Sequence, residues 1–190
     1  MLWLYLATQK ELFERELKLL HIAPEPGIRA RLRRQPNLQY TGAGLDSALA
    51  DVRLDLCRLP FPTGHFDAVL CNHVLEHVLD DGAALLELHR VLRPGGWACL
   101  QSPVNDGLAR TVEDPGTYGP REREQAFGQW DHVRQYGRDY PDRIRAAGFR
   151  AEAVRLDVQG DEAQAATYGL MSDEVLYIGF RDERTPLGEG

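Results

Sequence analysis

Three residues near the middle of the chain, His73, Glu76 and His77, have types and spacing that could bind a metal ion. On a helix, residues four apart share one face, so the imidazoles of His73 and His77 could both bind one zinc ion. The carboxylate of Glu76 could then take a proton from a zinc-bound water. Taken alone, this segment would indicate a zinc hydrolase.

The elements around these residues favour a different kind of site. Residues 66–71 form a short apolar run after Gly64, which predicts a buried strand, and a helical pattern begins only at Val74. A strand followed at once by a helix is typical of a parallel α/β sheet, in which ligands bind at the carboxyl ends of the strands. His73 therefore lies where a helix is only beginning, and we predict no metal there. The zinc hydrolase stays open as the less favoured alternative.

Composition and charge narrow the classes of function. The 190 residues are 43% hydrophobic and 27% charged, which suits one globular domain. The net charge of −7 argues against nucleic-acid binding, which needs a basic surface. No stretch reaches the roughly 20 apolar residues of a membrane span, so we expect no membrane partner. Cys57, Cys71 and Cys99 form no Cys-x-x-Cys pair and are interpreted as reduced thiols of a cytoplasmic protein.

Apolar strands alternate with amphipathic helices along the chain, which predicts a doubly wound α/β sheet in a single domain, residues 1–190. The predicted strands are residues 19–23, 38–41, 52–54, 66–71, 97–101, 153–158 and 175–180. The predicted helices are residues 2–17, 28–34, 83–92 and 138–147, and Pro94-Gly95-Gly96 is expected to end the third of them. We expect an N-terminal helix within residues 1–18, a variable acceptor or lid region at 105–137 and a frayed tail at 181–190.

Three segments in this order resemble the class I S-adenosylmethionine (SAM) dependent methyltransferases. Residues 20–27 follow the first predicted strand, Phe-Asp-Ala-Val at 66–69 and Leu-Glu-His at 75–77 surround the end of the fourth, and Leu-Arg-Pro-Gly-Gly at 92–96 leads into the fifth. The resemblance implies a Rossmann-like, seven-stranded and mostly parallel sheet whose last strand is antiparallel. It also implies SAM as the cofactor and methyl transfer as the activity.

The His-Ile-Ala-Pro-Glu sequence at residues 21–25 is similar to a poorly characterised subgroup of these enzymes. Members of that subgroup often carry an N-terminal zinc ribbon, so we expect this chain to be a short or a truncated form. Because the usual glycine loop is altered here, a binding or scaffold protein without catalysis is the alternative to an enzyme.

In the family, a Gly-x-Gly-x-Gly loop after the first strand faces the methionine part of SAM. Here that loop is Ala23-Pro24-Glu25-Pro26-Gly27, with only Gly27 at a glycine position, and His21 stands where an acidic residue is common. Ala23 still allows close approach, and Glu25 could offer a carboxylate to the ammonium or the sulfonium. Alternatively, the two prolines stiffen a turn and Glu25 is solvated.

The ends of the next three strands supply the other cofactor contacts that the resemblance implies. Asp46 is the substitute for the acidic residue that binds the ribose hydroxyls, or else it caps a turn. The Asp55-Leu56 pair matches the family's adenine contact, through the carboxylate and the following N–H, although Asp55 could be a turn residue instead. Asn72 and His73 are expected to form the floor of the site.

The segment after the fifth strand carries the candidates for the acceptor side. Residues 131–136 alternate polar and apolar side chains, so they could form an extended strip over the pocket. His132 could be a general base, Arg134 an anion anchor and Tyr136 a wall of the site, and His132 and Tyr136 are the predicted catalytic residues. Alternatively, the strip attaches a lid to the sheet by hydrogen bonds and stacking. Fold-level analogy favours a small-molecule acceptor, whose identity stays open together with the oligomeric state.

Overall fold

Strands and helices alternate along the chain in a computed structural model that describes residues 2–45, 49–114, 119–155 and 175–183. The strands are β1 (Leu17–Ile22), β2 (Leu38–Gly44), β3 (Val52–Arg53), β4 (Phe66–Cys71), β5 (Leu92–Cys99), β6 (Val112–Glu113), β7 (Arg134–Gln135), β8 (Arg150–Val154) and β9 (Leu176–Phe180). The helices are α1 (Leu2–Thr8), α2 (Glu11–Glu14), α3 (Pro26–Leu32), α4 (Asp81–Val91), α5 (Pro120–Phe127) and α6 (Tyr140–Ala146). A 3-10 turn at Leu75–His77 follows β4.

Seven of these strands form one sheet in the order β3-β2-β1-β4-β5-β9-β8, and β6 pairs with β7 apart from it. The strands β1 to β5 are parallel, whereas β9 is antiparallel to both β5 and β8. The predicted Rossmann-like sheet with an antiparallel last strand is therefore confirmed. Strand order reverses between β1 and β4, and in such sheets the crevice at that point is where ligands bind.

The central strands bury both faces, because successive side chains of a strand point to opposite sides. In β1 and β4, Leu20 and Val69 belong to the cluster that packs on α4 and α6, while Leu19 and Leu70 belong to the cluster that packs on α1 to α3. The cysteines are free thiols; Cys71 and Cys99 lie in β4 and β5, inside the core. This two-sided packing holds the carboxyl ends of the strands in a fixed position.

The prediction of a single helix over residues 2–17 is wrong. Two short helices end at Thr8 and Glu14, and Leu17 already pairs with Leu38 in the sheet. The hydroxyl of Thr8 donates to the carbonyl of Tyr5 (2.7 Å), a local hydrogen bond of the kind that competes with continued helix. Pairing of β1 with β2 therefore overrides the helical pattern of the sequence.

The end of α4 also differs, because the Pro-Gly-Gly segment does not end the helix. Strand β5 starts at Leu92, and residues 93–96 form a bulge between the pairs Phe66–Leu92 and Ala68–Trp97. A Cβ atom on Gly96 would lie 2.8 Å from the carbonyl oxygen of Asp67, so the bulge needs glycine there. No helix among the described residues has the length and apolar character needed to cross a bilayer.

Candidate active site

A cavity of about 780 Å³, here called the main cavity, opens at the carboxyl ends of β1 to β4. Its walls are formed by Ile22, Ala23, Gly44, Leu45, Leu54, Asp55, Leu56, Cys57, His73, Val74, His77, Val78, Leu79 and Asp131. The volume lies within the roughly 300–1,000 Å³ that is typical of small-molecule sites. Mostly apolar walls with a few polar groups suit a ligand that has both an apolar body and polar ends.

Two wall residues hold a backbone conformation that favours glycine. The φ angle is +45° at Ala23, directly after β1, and +50° at His73, after β4. The N–H of Ala23 donates to the carbonyl of Ala43 (2.7 Å), and that of His73 to Gln101 (2.8 Å), so neighbouring strands hold both turns. The left-handed conformation costs a non-glycine residue about 1–2 kcal/mol. The altered glycine loop thus keeps a glycine-like turn at Ala23.

Glu25 is held by two buried neighbours rather than left to solvent. Its Oε2 lies 2.5 Å from Nε2 of His21, whose Nδ1 lies 3.0 Å from the hydroxyl of Tyr40. Its Oε1 accepts a hydrogen bond from the amide of Asn72 (3.0 Å). Burial raises the pKa of Glu25, but the hydrogen bonds from His21 and Asn72 outweigh it and bring that pKa below its usual value. Glu25 is therefore a positioned carboxylate beside the end of β1.

Four described residues predicted to contact a cofactor do not line the main cavity: His21, Glu25, Gly27 and Asn72. His21 is fully buried and Asn72 nearly so, and both contact Glu25. Gly27 lies in the first turn of α3, where an added Cβ would meet no described atom within 4 Å. The prediction was incomplete because the sequence does not reveal which polar side chains bind each other. Asp46 lies outside the residues that the structure describes.

Asp55 is a turn residue that also lies in the wall of the main cavity. Its Oδ1 accepts from the N–H of Cys57 (2.9 Å), and its carbonyl accepts from the N–H of Arg58 (3.1 Å), so it stabilises a turn. The same residue is exposed on the wall of the main cavity, next to the buried Leu56. A turn residue at this place presents a carboxylate to whatever fills the cavity.

The segment His73-x-x-Glu76-His77 does not form the helix that a two-histidine zinc site would need. Only Leu75–His77 is a 3-10 turn, and His73 stands before it with a positive φ. Glu76 is buried, accepts from the hydroxyl of Ser102 (3.0 Å) and lies 3.4 Å from Nδ1 of His73. Burial raises the pKa of Glu76, but the nearby His73 imidazole, the backbone and the hydrogen bond from Ser102 bring that pKa below its usual value.

The structure instead brings His77 against His132, from the segment between α5 and β7. Their ring centroids are 4.7 Å apart at an interplanar angle of 81°. Nδ1 of His77 lies 3.3 Å from Oδ2 of Asp131. His132 lines a second cavity of about 160 Å³, together with Phe127 and Arg134 among others. The two histidines therefore stand between the main cavity and the second cavity.

Arg134 attaches β7 to the segment after β4, a role different from the predicted anion anchor. Its guanidinium is buried and donates to the carbonyls of Leu75 (2.7 Å), Val78 and Leu79 (2.9 Å). Its Nε donates to Glu113 (2.8 Å). Every one of these acceptors belongs to the protein, so the guanidinium satisfies its hydrogen bonds without a substrate. The structure favours the interpretation that this strip attaches the lid.

Tyr136 is a core residue, although the sequence suggested a pocket wall with a catalytic role. It has no exposed surface, and its hydroxyl donates to Oδ2 of Asp81 (2.8 Å). Burial raises the pKa of Tyr136 far above its usual value, so its hydroxyl stays protonated. Asp81 also accepts from Arg143 (2.9 and 2.7 Å), which sequence reasoning missed because the two residues lie on different helices. Tyr136 therefore stabilises the packing of β7 on α4.

The chain is similar in sequence to known methyltransferases. A family described as a methyltransferase domain matches residues 8–100. A ubiquinone/menaquinone biosynthesis C-methyltransferase of Caulobacter sp. (strain K31) is 30% identical over 132 residues, covering 62% of this chain and 51% of that protein. A demethylmenaquinone methyltransferase of Mycolicibacterium gilvum is 43% identical over 72 residues, covering 37% of this chain and 32% of that protein. The chain thus spans about half or less of the length of these two relatives.

Among solved structures, an S-adenosylmethionine-dependent methyltransferase from Mesorhizobium loti is similar over nearly the whole chain. The TM-score is 0.63 at 18% sequence identity, with 93% of this chain and 96% of that chain covered. A likeness at this level of identity establishes the fold.

Proposed function

We propose that the chain is a class I SAM-dependent methyltransferase and that it transfers the methyl group of SAM to a small-molecule acceptor bound in the main cavity. The observation that carries the proposal is the position of that cavity. It lies at the carboxyl ends of β1 to β4, with Ala23, Asp55 and His73 in its walls. This is the crevice in which open α/β sheets bind their ligands.

At the cofactor end, four groups have separate tasks in this proposal. The tight turn at Ala23 lets the backbone approach the methionine part of SAM, and Glu25 offers its carboxylate to the ammonium group. Asp55 accepts from the exocyclic amine of adenine while the N–H of Leu56 reaches a ring nitrogen. His21 and Asn72 act through Glu25 as positioning residues. The ribose contact stays with Asp46 as a prediction.

At the acceptor end, the protein chiefly has to orient the acceptor and exclude water. SAM supplies an electrophilic methyl carbon on a sulfonium, and transfer is an in-line displacement by the acceptor. The apolar side chains of Val74, Val78 and Leu79 form a wall there, which suits an acceptor with an apolar body. His132 stands next to His77 and is the candidate base for an acceptor that must lose a proton. The names of the two relatives, a demethylmenaquinone methyltransferase and a ubiquinone/menaquinone biosynthesis C-methyltransferase, support an acceptor with an apolar body.

Calorimetry with SAM and with its demethylated product, S-adenosylhomocysteine, tests the cofactor site. We expect both to bind the wild-type chain, and Asp55→Ala to weaken binding at least about tenfold, the loss of one charge-assisted hydrogen bond. Asp142→Ala is the matched control, because that carboxylate lies on α6, is exposed and, among the described residues, pairs with Arg145. An Asp55→Ala variant that binds as tightly as wild type would contradict the assignment.

Turnover is tested separately, by release of S-adenosylhomocysteine in the presence of quinol, phenol and amine acceptors. We expect release with at least one acceptor that has an apolar body. Tight cofactor binding without release from any acceptor would instead support a binding protein that uses the same fold.

A further inference from the structure

We propose that Glu76, His77 and His132 together bind one divalent transition-metal ion between the main cavity and the second cavity. One ligand atom from each of the three lies within 4.8 Å of those of the other two. This set differs from the sequence motif, because His73 is replaced by His132, which lies far away in the chain. The inference concerns binding of the ion itself and stands independently of methyl transfer.

The orientation of the two imidazoles is the second observation that points to a metal. Nδ1 of His132 lies 3.2 Å from the carbonyl oxygen of Phe127, and Nδ1 of His77 lies 3.3 Å from Oδ2 of Asp131. A carbonyl oxygen only accepts, so Nδ1 of His132 carries the proton and Nε2 keeps its lone pair. The carboxylate of Asp131 likewise keeps the proton on Nδ1 of His77 and leaves the lone pair on Nε2. Metal-binding histidines in proteins are usually held in this way.

Glu76 supplies the third ligand from inside the protein. It is 2% exposed, and its Oε1 has no hydrogen-bond partner among the described residues, although it lies 3.4 Å from Nδ1 of His73. Its Oε2 is held by the hydroxyl of Ser102 (3.0 Å), which fixes the carboxylate next to the histidine pair. A buried carboxylate that lacks a hydrogen bond on one oxygen gains most from a cation.

The donor set indicates which ions fit. Two imidazole nitrogens and one carboxylate oxygen are the protein ligands of zinc sites that keep a fourth position open. Imidazole ligands favour zinc, cobalt or iron(II) over magnesium and calcium, which prefer oxygen. Metal–ligand bonds of about 2.0–2.1 Å place the ligand atoms of a tetrahedral site about 3.4 Å apart. The ligand atoms here lie within 4.8 Å of one another, so metal binding has to shorten each of these distances by at most about 1.4 Å.

The open position would be accessible from both cavities, since His77 lines the main cavity and His132 lines the second. Metal binding uses the same Nε2 lone pair that a base role for His132 requires. The two roles of His132 therefore exclude each other, and a measurement of metal binding decides between them.

The test uses the full chain freed of metal with a chelator and titrated with Co²⁺, whose absorption bands report nitrogen and oxygen ligation, and with Zn²⁺ by calorimetry. We expect about one equivalent of each ion to bind. His77→Ala and His132→Ala should each weaken binding at least about 100-fold, and Asp131→Asn about 10–100-fold because it only orients His77. His65→Ala is the matched control, since its ring stacks on Phe61 outside the cluster.

Two results would overturn the proposal: substoichiometric binding with no visible cobalt bands in the wild-type chain, or one equivalent retained by both His77→Ala and His132→Ala. Circular dichroism of the metal-free variants checks that they fold. His132→Gln is the second variant, because its side chain keeps a polar group at this position. SAM binding measured in the same samples separates this inference from the proposed function, since metal binding can fail while SAM still binds.

Discussion

Ala23 and His73 are residues whose backbone conformation matters more than their side-chain chemistry. Both hold positive φ angles at the ends of adjacent strands, and both lie in the wall of the main cavity. The glycine loop that the resemblance implies has a glycine at the position of Ala23, and here an alanine holds a conformation that favours glycine. The substitution keeps the shape of the turn, because hydrogen bonds to neighbouring strands hold it, and adds strain to the folded state.

Ala23→Gly should therefore stabilise the protein. Relief of about 1–2 kcal/mol of left-handed strain exceeds the extra chain entropy of glycine, about 0.5–1 kcal/mol, so we expect the free energy of unfolding to rise by about 0.5–1 kcal/mol. Urea unfolding measures the change. Ala30→Gly, in the exposed face of α3, is the control and should destabilise by a similar amount. Equal destabilisation by both substitutions would show that Ala23 is unstrained.

At the scale of elements, β7 and the residue after it hold the segment after β4 and the start of α4 in place. Arg134 binds three carbonyls of the segment after β4, and Tyr136 binds Asp81 at the start of α4. The short ladder of β7 with β6 adds Glu113 to this network, through Arg134 and Arg143. These contacts hold His132, two residues before Arg134, against His77. The strip predicted to touch a substrate thus acts mainly by positioning one histidine.

Tyr136→Phe separates a structural role of Tyr136 from a catalytic one. Loss of its hydrogen bond to Asp81 should lower the free energy of unfolding by about 1–2 kcal/mol, because a buried carboxylate loses one donor. We expect affinity for SAM and the rate of methyl transfer at saturating substrate to stay within about twofold of wild type, a change of less than 0.5 kcal/mol. Tyr5→Phe is the control, since the Tyr5 hydroxyl has no hydrogen bond to a described residue. A large loss of rate in Tyr136→Phe alone would restore the catalytic assignment.

At the scale of the whole molecule, three carboxylates contribute to the pH dependence of stability: Glu76 and Asp81 are buried, and Glu25 is half-buried. Hydrogen bonds and nearby charges bring the pKa values of Glu25, Glu76 and Asp81 below their usual range, against the effect of burial. An unfolded chain takes up protons at the ordinary pKa values, 4.5 for glutamate and 3.8 for aspartate, before the folded protein does. These groups stabilise the fold above about pH 4.5, and the contribution is lost as pH falls through their folded pKa values.

Urea unfolding between pH 7 and pH 3 tests this linkage. We expect the free energy of unfolding to fall below about pH 4.5, and the fall to be smaller in Asp81→Asn, which has no proton to gain. Asp142→Asn is the matched control, because its carboxylate is exposed and should leave the pH dependence unchanged. Identical pH profiles for wild type and Asp81→Asn would contradict a contribution from Asp81.

Much of the fold was predictable from the sequence because its signals are local. Short apolar runs placed six of the seven strands of the main sheet, and β4 was predicted at its observed bounds, Phe66–Cys71. The strand predicted at residues 153–158 was misplaced, because it shares only residues 153 and 154 with β8 (Arg150–Val154), and residues 156–158 lie outside the described residues. The segments around 66–77 and 92–96 indicated the family. The errors came where pairing overrode local pattern, at the first helix and at the start of β5.

The sequence by itself determined the order of the elements and hence the sheet edge at which Ala23, Asp55 and His73 meet, since parallel strands bring their carboxyl ends together. Only the tertiary structure decided that His132 meets His77 and Glu76, and that Arg134 and Tyr136 are buried. Those contacts join residues far apart in the chain, and they depend on where β7 packs. Local periodicity carries no information about that packing, because it arises from side chains of several elements filling one common volume.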